Sequence, residues 1–175
     1  MPSRQLLIEQ IPHLRRYARV LLGHGRLEEA DDLVQDTLER ACAKWHLWQS
    51  HRRLRPWLFS IMHNLSADQR AATAAMPEQP LEDVPEPQVA ADQETRIEAL
   101  SLIRLVEDLP LPLREVLLLV CVEGLSYREV AQALDIPAGT VMSRLSRARA
   151  HLQQWTEKGM AGARPPFQVI TGNGP

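Results

Sequence analysis

LSYREVAQALDIPAGTVMSRLSRARAHL, residues 125–152, divides into two helices and a tight turn. Ser126 and Glu129 stand at the spacing of a capping box, in which hydroxyl and carboxylate satisfy orphan amide donors of the first helical turn. Val130, Ala131 and Leu134 give this short helix one apolar side. Asp135-Ile136-Pro137 ends it, because proline has no amide hydrogen and disfavours helical geometry in the residue before it. Asp135 suits a left-handed turn position, which aspartate tolerates better than most residues. A second helix is predicted from about Gly139-Thr140, with Val141, Leu145, Ala148 and Leu152 inward and Arg144, Arg147 and Arg149 outward. Two helices, a sharp turn and a basic second helix make a helix-turn-helix. The plainer alternative is an ordinary helical hairpin with solvated arginines.

The rest of the chain supports a helical, soluble, nucleic-acid-related class. At 175 residues and 45% hydrophobic content it can bury one medium core or two small ones. Arg4, Glu9, Arg15 and Arg16 interrupt any signal-peptide pattern, and no apolar run reaches the roughly 20 residues a membrane span needs. Cys42 and Cys121 stand far apart, with no CxxC and no paired histidines, so the expectation is two buried small hydrophobes rather than a disulfide or a zinc site. These features point to a cytoplasmic protein. The net charge of −2 looks unsuited to DNA until it is divided. Residues 1–70 carry +3, residues 71–109 carry −7, and residues 110–158 carry +1. So balanced a chain should bind DNA weakly alone, since affinity for the duplex rests on phosphate neutralisation and counterion release.

Upstream, Leu7, Ile11, Leu14, Ala18 and Leu21 predict one amphipathic helix that stops at Gly23-His24-Gly25. A second is predicted from about Glu28 to Trp45, with Glu28, Glu29, Asp31 and Asp32 in its first turns, where the helix dipole favours anions. Ala30, Val34, Leu38, Ala41 and Trp45 form its inward side; Asp32, Gln35, Asp36 and Glu39 form an acidic-polar outward one. That outward side reads equally as solvation or as a docking surface. Trp45, Trp48, Arg52, Arg53 and Arg55 then lead to Pro56, at the start of a third helix with Trp57, Leu58, Ile61 and Leu65 on its apolar side and Asn64 among them. Rings beside arginines suit single-stranded nucleic acid, although tryptophans in a small helical domain also serve as core.

From Ala71 to about Thr95 the chain holds four prolines and no basic residue, which predicts a linker. Periodicity resumes at Ile97, Leu100, Ile103 and Val106. After a break at 109–112, another helix is predicted from Leu113 to Glu123, ended by Gly124. The residues past Trp155 are mostly loop-forming and are expected to be disordered. No glycine-rich phosphate loop, HExxH or GxSxG is present, and Asp31, Asp32 and Asp36 lack the alternating ligands of a calcium loop. Neither catalytic residues, a metal site nor a cofactor is expected.

The motifs together resemble a bacterial RNA polymerase sigma factor of the extracytoplasmic-function (ECF) group. EADDLVQDTLERA (29–41) resembles the sigma-2 helix that docks on the polymerase clamp. RPWLFSIMHNLSADQR (55–70) resembles the segment that opens and reads the minus-10 element. Residues 109–152 resemble the whole of sigma-4, which reads the minus-35 element. The resemblance implies an all-α fold of two small helical domains joined by a flexible acidic linker. Its boundaries would be a sigma-2-like domain at 1–70, the linker at 71–95, a sigma-4-like domain at 96–155 and the tail at 156–175.

It also implies roles. Asp32, Gln35, Asp36 and Glu39 would bind polymerase. Trp48, Arg52, Arg53, Arg55 and Asn64 would contact minus-10 DNA, with Asn64 on a flipped-out base. Thr140, Met142, Ser143, Arg144, Ser146, Arg147 and Arg149 would face minus-35 DNA, the arginines suiting phosphates or packing. Met142 and Ser146 depart from the common pattern, in which a basic and a larger side chain stand there, and Met142 cannot make arginine's bidentate guanine contact. The implied partners are core RNA polymerase, promoter DNA and an anti-sigma factor, with the linker threading the polymerase's basic RNA channel or serving as a plain tether. Two other functions remain open: a sigma mimic that sequesters an anti-sigma factor, and a stand-alone helix-turn-helix repressor.

Overall fold

The computed structural model describes residues 4–23, 25–48, 53–74 and 101–159, with side chains to residue 154. Regular structure among them is entirely helical. Arg52, most of the expected acidic linker and residues 160–175 lie outside the described residues.

The expected first helix is two helices, α1 (Arg4–Ile8) and α2 (Ile11–Leu22). Pro12 explains the correction. Inside a continuous helix it would lack a donor and clash with the carbonyl of Ile8, so the helix restarts with Pro12 in its opening turn. Gly23 ends α2 at φ 91°, a backbone region that costs glycine little, and donates its amide to the Arg19 carbonyl. α3 (Leu27–Ala43) follows, then a 3-10 turn (Trp45–Leu47) and α4 (Leu54–Ala74). Leu14, Tyr17 and Leu21 of α2, Leu33 and Val34 of α3, and Leu58, Phe59 and Met62 of α4 are buried together. The Tyr17 and Phe59 rings meet at 4.9 Å. Burial, together with the carboxylates Glu115 and Glu123, pushes the Tyr17 phenol well above its ordinary pKa, so it stays protonated. α4 runs four residues into the stretch expected as linker.

The second half holds α5, described over 101–107, then α6 (Leu111–Leu117), a π-helical turn (Leu118–Val122), α7 (Tyr127–Ala133) and α8 (Ala138–Gly159). α6 opens two residues earlier than expected because Pro112 is tolerated in a first helical turn. The π turn closes with the Glu123 amide on the Leu118 carbonyl at 3.0 Å. Gly124, at φ 66°, then reverses the chain so that the Leu125 amide reaches the Leu119 carbonyl. α8 extends past the expected end of the domain to Gly159.

Both cysteines are exposed, against the expectation of burial. On α3 the buried positions are 30, 33, 34, 37 and 41, and Cys42 lies one helical step off that stripe. Cys121 falls in the π turn, whose wider spiral carries it and Val122 outward.

The capping box is complete: Ser126 Oγ accepts the Glu129 amide, and the Glu129 carboxylate accepts the Ser126 amide at 2.8 Å. Ser126→Ala is expected to destabilise the protein by about 1 kcal/mol in thermal or denaturant unfolding, the usual worth of such a cap. Burial alone would raise the Glu129 pKa, but the two Ser126 hydrogen bonds and Arg53 outweigh it and hold the carboxyl below its ordinary value. A group lowered in this way stabilises the fold above its unfolded pKa and loses that effect as pH falls through its folded one. The native protein should therefore lose more stability on acidification below about pH 4.3 than Glu129→Gln does, as read by urea midpoints across pH.

Candidate polymerase and nucleic-acid interfaces

α7, the turn and α8 form the expected helix-turn-helix. Asp135 takes the left-handed position at φ 51°, and the Ile136 amide returns to the Ala131 carbonyl at 3.0 Å. Pro137 then supplies the carbonyl that receives the Thr140 and Val141 amides, starting α8. Val130, Leu134, Val141, Leu145 and Ala148 are buried, which fixes the rotation of α8 about its axis. Met142, Ser143, Ser146 and Arg147 therefore face solvent, while Thr140, Arg144 and Arg149 are half-buried. Met142 is 52% exposed, high for so apolar a side chain, and Tyr127 at the start of α7 is 40% exposed. Both line a shallow cleft of about 370 Å³ together with Leu145, Ser146, Arg149, Ala150 and Gln153. Tyr127 was not singled out in the sequence; the available signal was its place directly after the Ser126 cap.

Asp32, Gln35, Asp36 and Glu39 are all exposed along one side of α3, as the 3- and 4-residue spacing requires. Their intramolecular engagement is slight. Gln35 donates to Glu39 at 3.0 Å, and Gln69 of α4 reaches Asp36 at 3.4 Å. The neighbouring Asp31 is instead turned to α2, where Arg15 lies at 3.2 Å and Arg19 at 3.8 Å.

The basic, aromatic stretch separates into two groups. Trp45, Trp48 and Trp57 are half-buried and form one cluster, with ring centroids 4.8 Å apart for Trp45–Trp48 and 6.1 Å for Trp45–Trp57. They are thus neither plain core nor an open platform. Trp48, Trp57, Arg53, Pro56 and Ser60 line one side of a cavity of about 570 Å³. Asn64 is exposed one turn beyond Ser60 on the same side of α4. Arg55 is directed elsewhere. It donates to Gln10 at 3.0 Å, to His13 Nε2 at 3.0 Å and, at 3.4 Å, to the Glu123 carbonyl.

The opposite wall of that cavity is Glu129, Gln132 and Ala133 of α7. α7 packs on α4, so the helix-turn-helix unit sits against the first helical domain. Among the described residues, further polar links cross this boundary besides that of Arg55 to the Glu123 carbonyl. Arg53 donates from one guanidinium nitrogen to both Glu129 oxygens, at 3.1 and 3.2 Å. Glu123, whose side chain has no exposed surface, accepts from Arg16 at 2.8 and 3.0 Å and from His13 Nδ1 at 2.8 Å. With His13 Nε2 receiving Arg55, an Nδ1–H serves Glu123, and the Arg16 guanidinium 3.0 Å from the same nitrogen then donates to Glu123 alone. His63 contacts the buried Glu115 at 2.9 Å. Arg114 donates to the Leu21 carbonyl at 2.7 Å, and its desolvation there lowers its pKa against the pull of Glu107, Asp108 and Glu115. No sequence signal announced Glu115, Glu123, His13 or Arg16 as partners.

Known proteins share both halves. Residues 7–63 match the family described as the sigma-2 domain of PhyR, and residues 99–152 match sigma-70 region 4. The ECF RNA polymerase sigma factor EcfG of Rhodopseudomonas palustris is 33% identical over 147 residues, covering 83% of this chain and 80% of its own length. The chain belongs to the ECF RNA polymerase sigma factors. RNA polymerase sigma factor NccH of Alcaligenes xylosoxydans xylosoxydans is likewise 33% identical, over 80% of each chain. Among solved structures, the sigma factor RpoE of Bartonella quintana, in complex with the anti-sigma factor NepR, aligns with a TM-score of 0.67 at 28% identity. That alignment covers 88% of this chain and 96% of RpoE. CnrH, in complex with the cytosolic domain of CnrY, aligns at 0.64 and 25%, covering 89% of this chain and 87% of CnrH. As an ECF sigma factor, the protein serves transcription initiation. The helix-turn-helix unit is its sigma-4 region and the α2–α4 unit its sigma-2 region. Among the described residues, no helix is long and apolar enough to cross a membrane, and no cluster of side chains suits a metal ion.

Proposed function

We propose that this sigma factor divides its work among three surfaces. Asp32, Gln35, Asp36 and Glu39 dock on core polymerase. Trp48, Arg52, Arg53 and Asn64 hold unstacked minus-10 bases, and the outer side of α8 reads the minus-35 duplex. Arg55 would have to leave the domain boundary to reach a phosphate. The chain itself performs no covalent chemistry and works in the cytoplasm, where the polymerase is. One observation carries the reading: α3 keeps four polar side chains in solvent with little intramolecular use, in the same chain as a helix-turn-helix whose reading side is open. The complexes of RpoE with NepR and CnrH with CnrY support an anti-sigma partner.

Transcription from a promoter library with bacterial core polymerase tests the proposal. Discrete starts sharing two upstream motifs, dependent on this protein, are expected. The match of the first domain to PhyR, an anti-anti-sigma factor, favours the mimic as second reading. Capture of an anti-sigma factor with no core-dependent transcripts would establish it, whereas tight duplex binding without either would leave a repressor.

Met142 bears on minus-35 specificity. A thioether offers no donor pair for guanine, but beside the Tyr127 ring it can pack against the 5-methyl group of thymine. Replacing thymine with deoxyuridine at the matching position should cut initiation by about fourfold, the worth of one buried methyl group. With Met142→Ala the same replacement should have little effect. If no minus-35 position responds to loss of the methyl group, Met142 does not read thymine.

A further inference from the structure

The residues that crowd Trp48 and Arg53 from outside belong to this chain's own sigma-4 region. We infer that sigma-4 is a ligand of the sigma-2 nucleic-acid site, and that the Glu129 carboxylate occupies the place of a DNA phosphate on Arg53. This rests on the minus-10 role assigned above to Trp48 and Arg53. The chemistry of the contact is that of nucleic-acid capture: two anionic oxygens receive one guanidinium beside a tryptophan cluster. Gln132 and Ala133 line the cavity that Trp48 and Trp57 face, so a base entering from that side meets α7. Single-stranded DNA and sigma-4 cannot use Arg53 together.

The clasp that holds this arrangement does not include Arg53 or Trp48, although Arg55 reaches it through His13 and the Glu123 carbonyl. Glu123 lies on the sigma-4 side, directly after the π turn, and its buried carboxylate is held by His13 and Arg16 of α2. Glu115 and His63 make a second link of the same kind. The two carboxylates are removed from water while their partners keep part of their exposure, and water can solvate each carboxylate when the domains part. The net preference for closure is therefore modest, and competition by polymerase and DNA can reverse it. Closure would also lower the affinity of the free protein for DNA, since Arg53 is already paired with Glu129.

The two native thiols supply a reporter. Cys42 is exposed on the sigma-2 side and Cys121 on the sigma-4 side, so donor and acceptor dyes on them follow domain separation by energy transfer. The full-length protein should show efficient transfer. Glu123→Gln should lower it and raise the affinity for short random-sequence single-stranded DNA by about tenfold, the equilibrium shift that loss of one charged hydrogen-bonded link produces. The double variant His13→Ala with Arg16→Ala removes the clasp from the other side and should do the same. Its agreement with Glu123→Gln separates opening from misfolding of either domain, and circular dichroism verifies helix content. Unchanged transfer and unchanged DNA affinity in both variants would overturn the clasp. Reduced transfer with no gain in DNA affinity would overturn the masking, even with the domains parted. Failure of the sigma reading itself would show elsewhere, as the absence of promoter-specific transcripts from the native protein with core polymerase.

Discussion

Reversing Asp32 and Asp36 to lysine is expected to abolish promoter-directed transcription while leaving the fold intact. Both carboxylates are exposed, and among the described residues the one side-chain hydrogen bond to either is the long one from Gln69 to Asp36. Substitutions at such positions usually change stability by no more than about 0.5 kcal/mol. Against a basic docking partner the change is far larger, because two attractions become two repulsions and like charges facing each other cost several kcal/mol. Affinity for core polymerase should fall by at least about 100-fold, with on-rate and salt dependence both altered. Binding to core can be read by fluorescence anisotropy and activity by run-off transcription, with thermal unfolding as the control. If the double variant transcribed normally, the docking role of α3 would be wrong.

The second large effect concerns the sigma-4 core. Leu145 is 2% exposed on the inner side of α8, where that helix packs on α6 and α7. Truncation to alanine removes a buried side chain that a helical frame cannot fully collapse around, so Leu145→Ala should cost about 3 kcal/mol. For a domain of this size that lowers the midpoint of thermal unfolding by roughly 12–24 °C. Minus-35-dependent initiation should fall with it at ordinary temperatures. Met142→Ala, three residues earlier on the same helix and 52% exposed, should leave the midpoint almost unchanged. The pair separates the two sides of α8. Similar losses from both would mean that the helix is rotated from the position described.

Much of this was legible from residue order. The capping box at Ser126 and Glu129, the left-handed Asp135 and the inward Val141, Leu145 and Ala148 all follow from interactions within one or two helical turns. The exposed line Asp32, Gln35, Asp36 and Glu39 follows from helical periodicity in the same way. Errors arose where a local rule met a competing one. Heptad-like spacing ran through residues 7–21, but Pro12 cut the helix because a missing donor outweighs a favourable apolar stripe. The cysteines were expected inside on the strength of their residue type, yet burial was decided by angle: Cys42 lies off the stripe, and a π turn rotates Cys121 outward.

Residue order by itself determined the helices, their ends and faces, and the family motifs that name the chain, since each is set by neighbours a few residues away. Only the tertiary structure decided which carboxylate meets which cation. His13 and Glu123 are 110 positions apart, and Arg53 and Glu129 are 76 apart. Nothing in either residue's local sequence selects the other. Their pairing depends on how the two helical units dock, and that docking is what places Glu129 on Arg53.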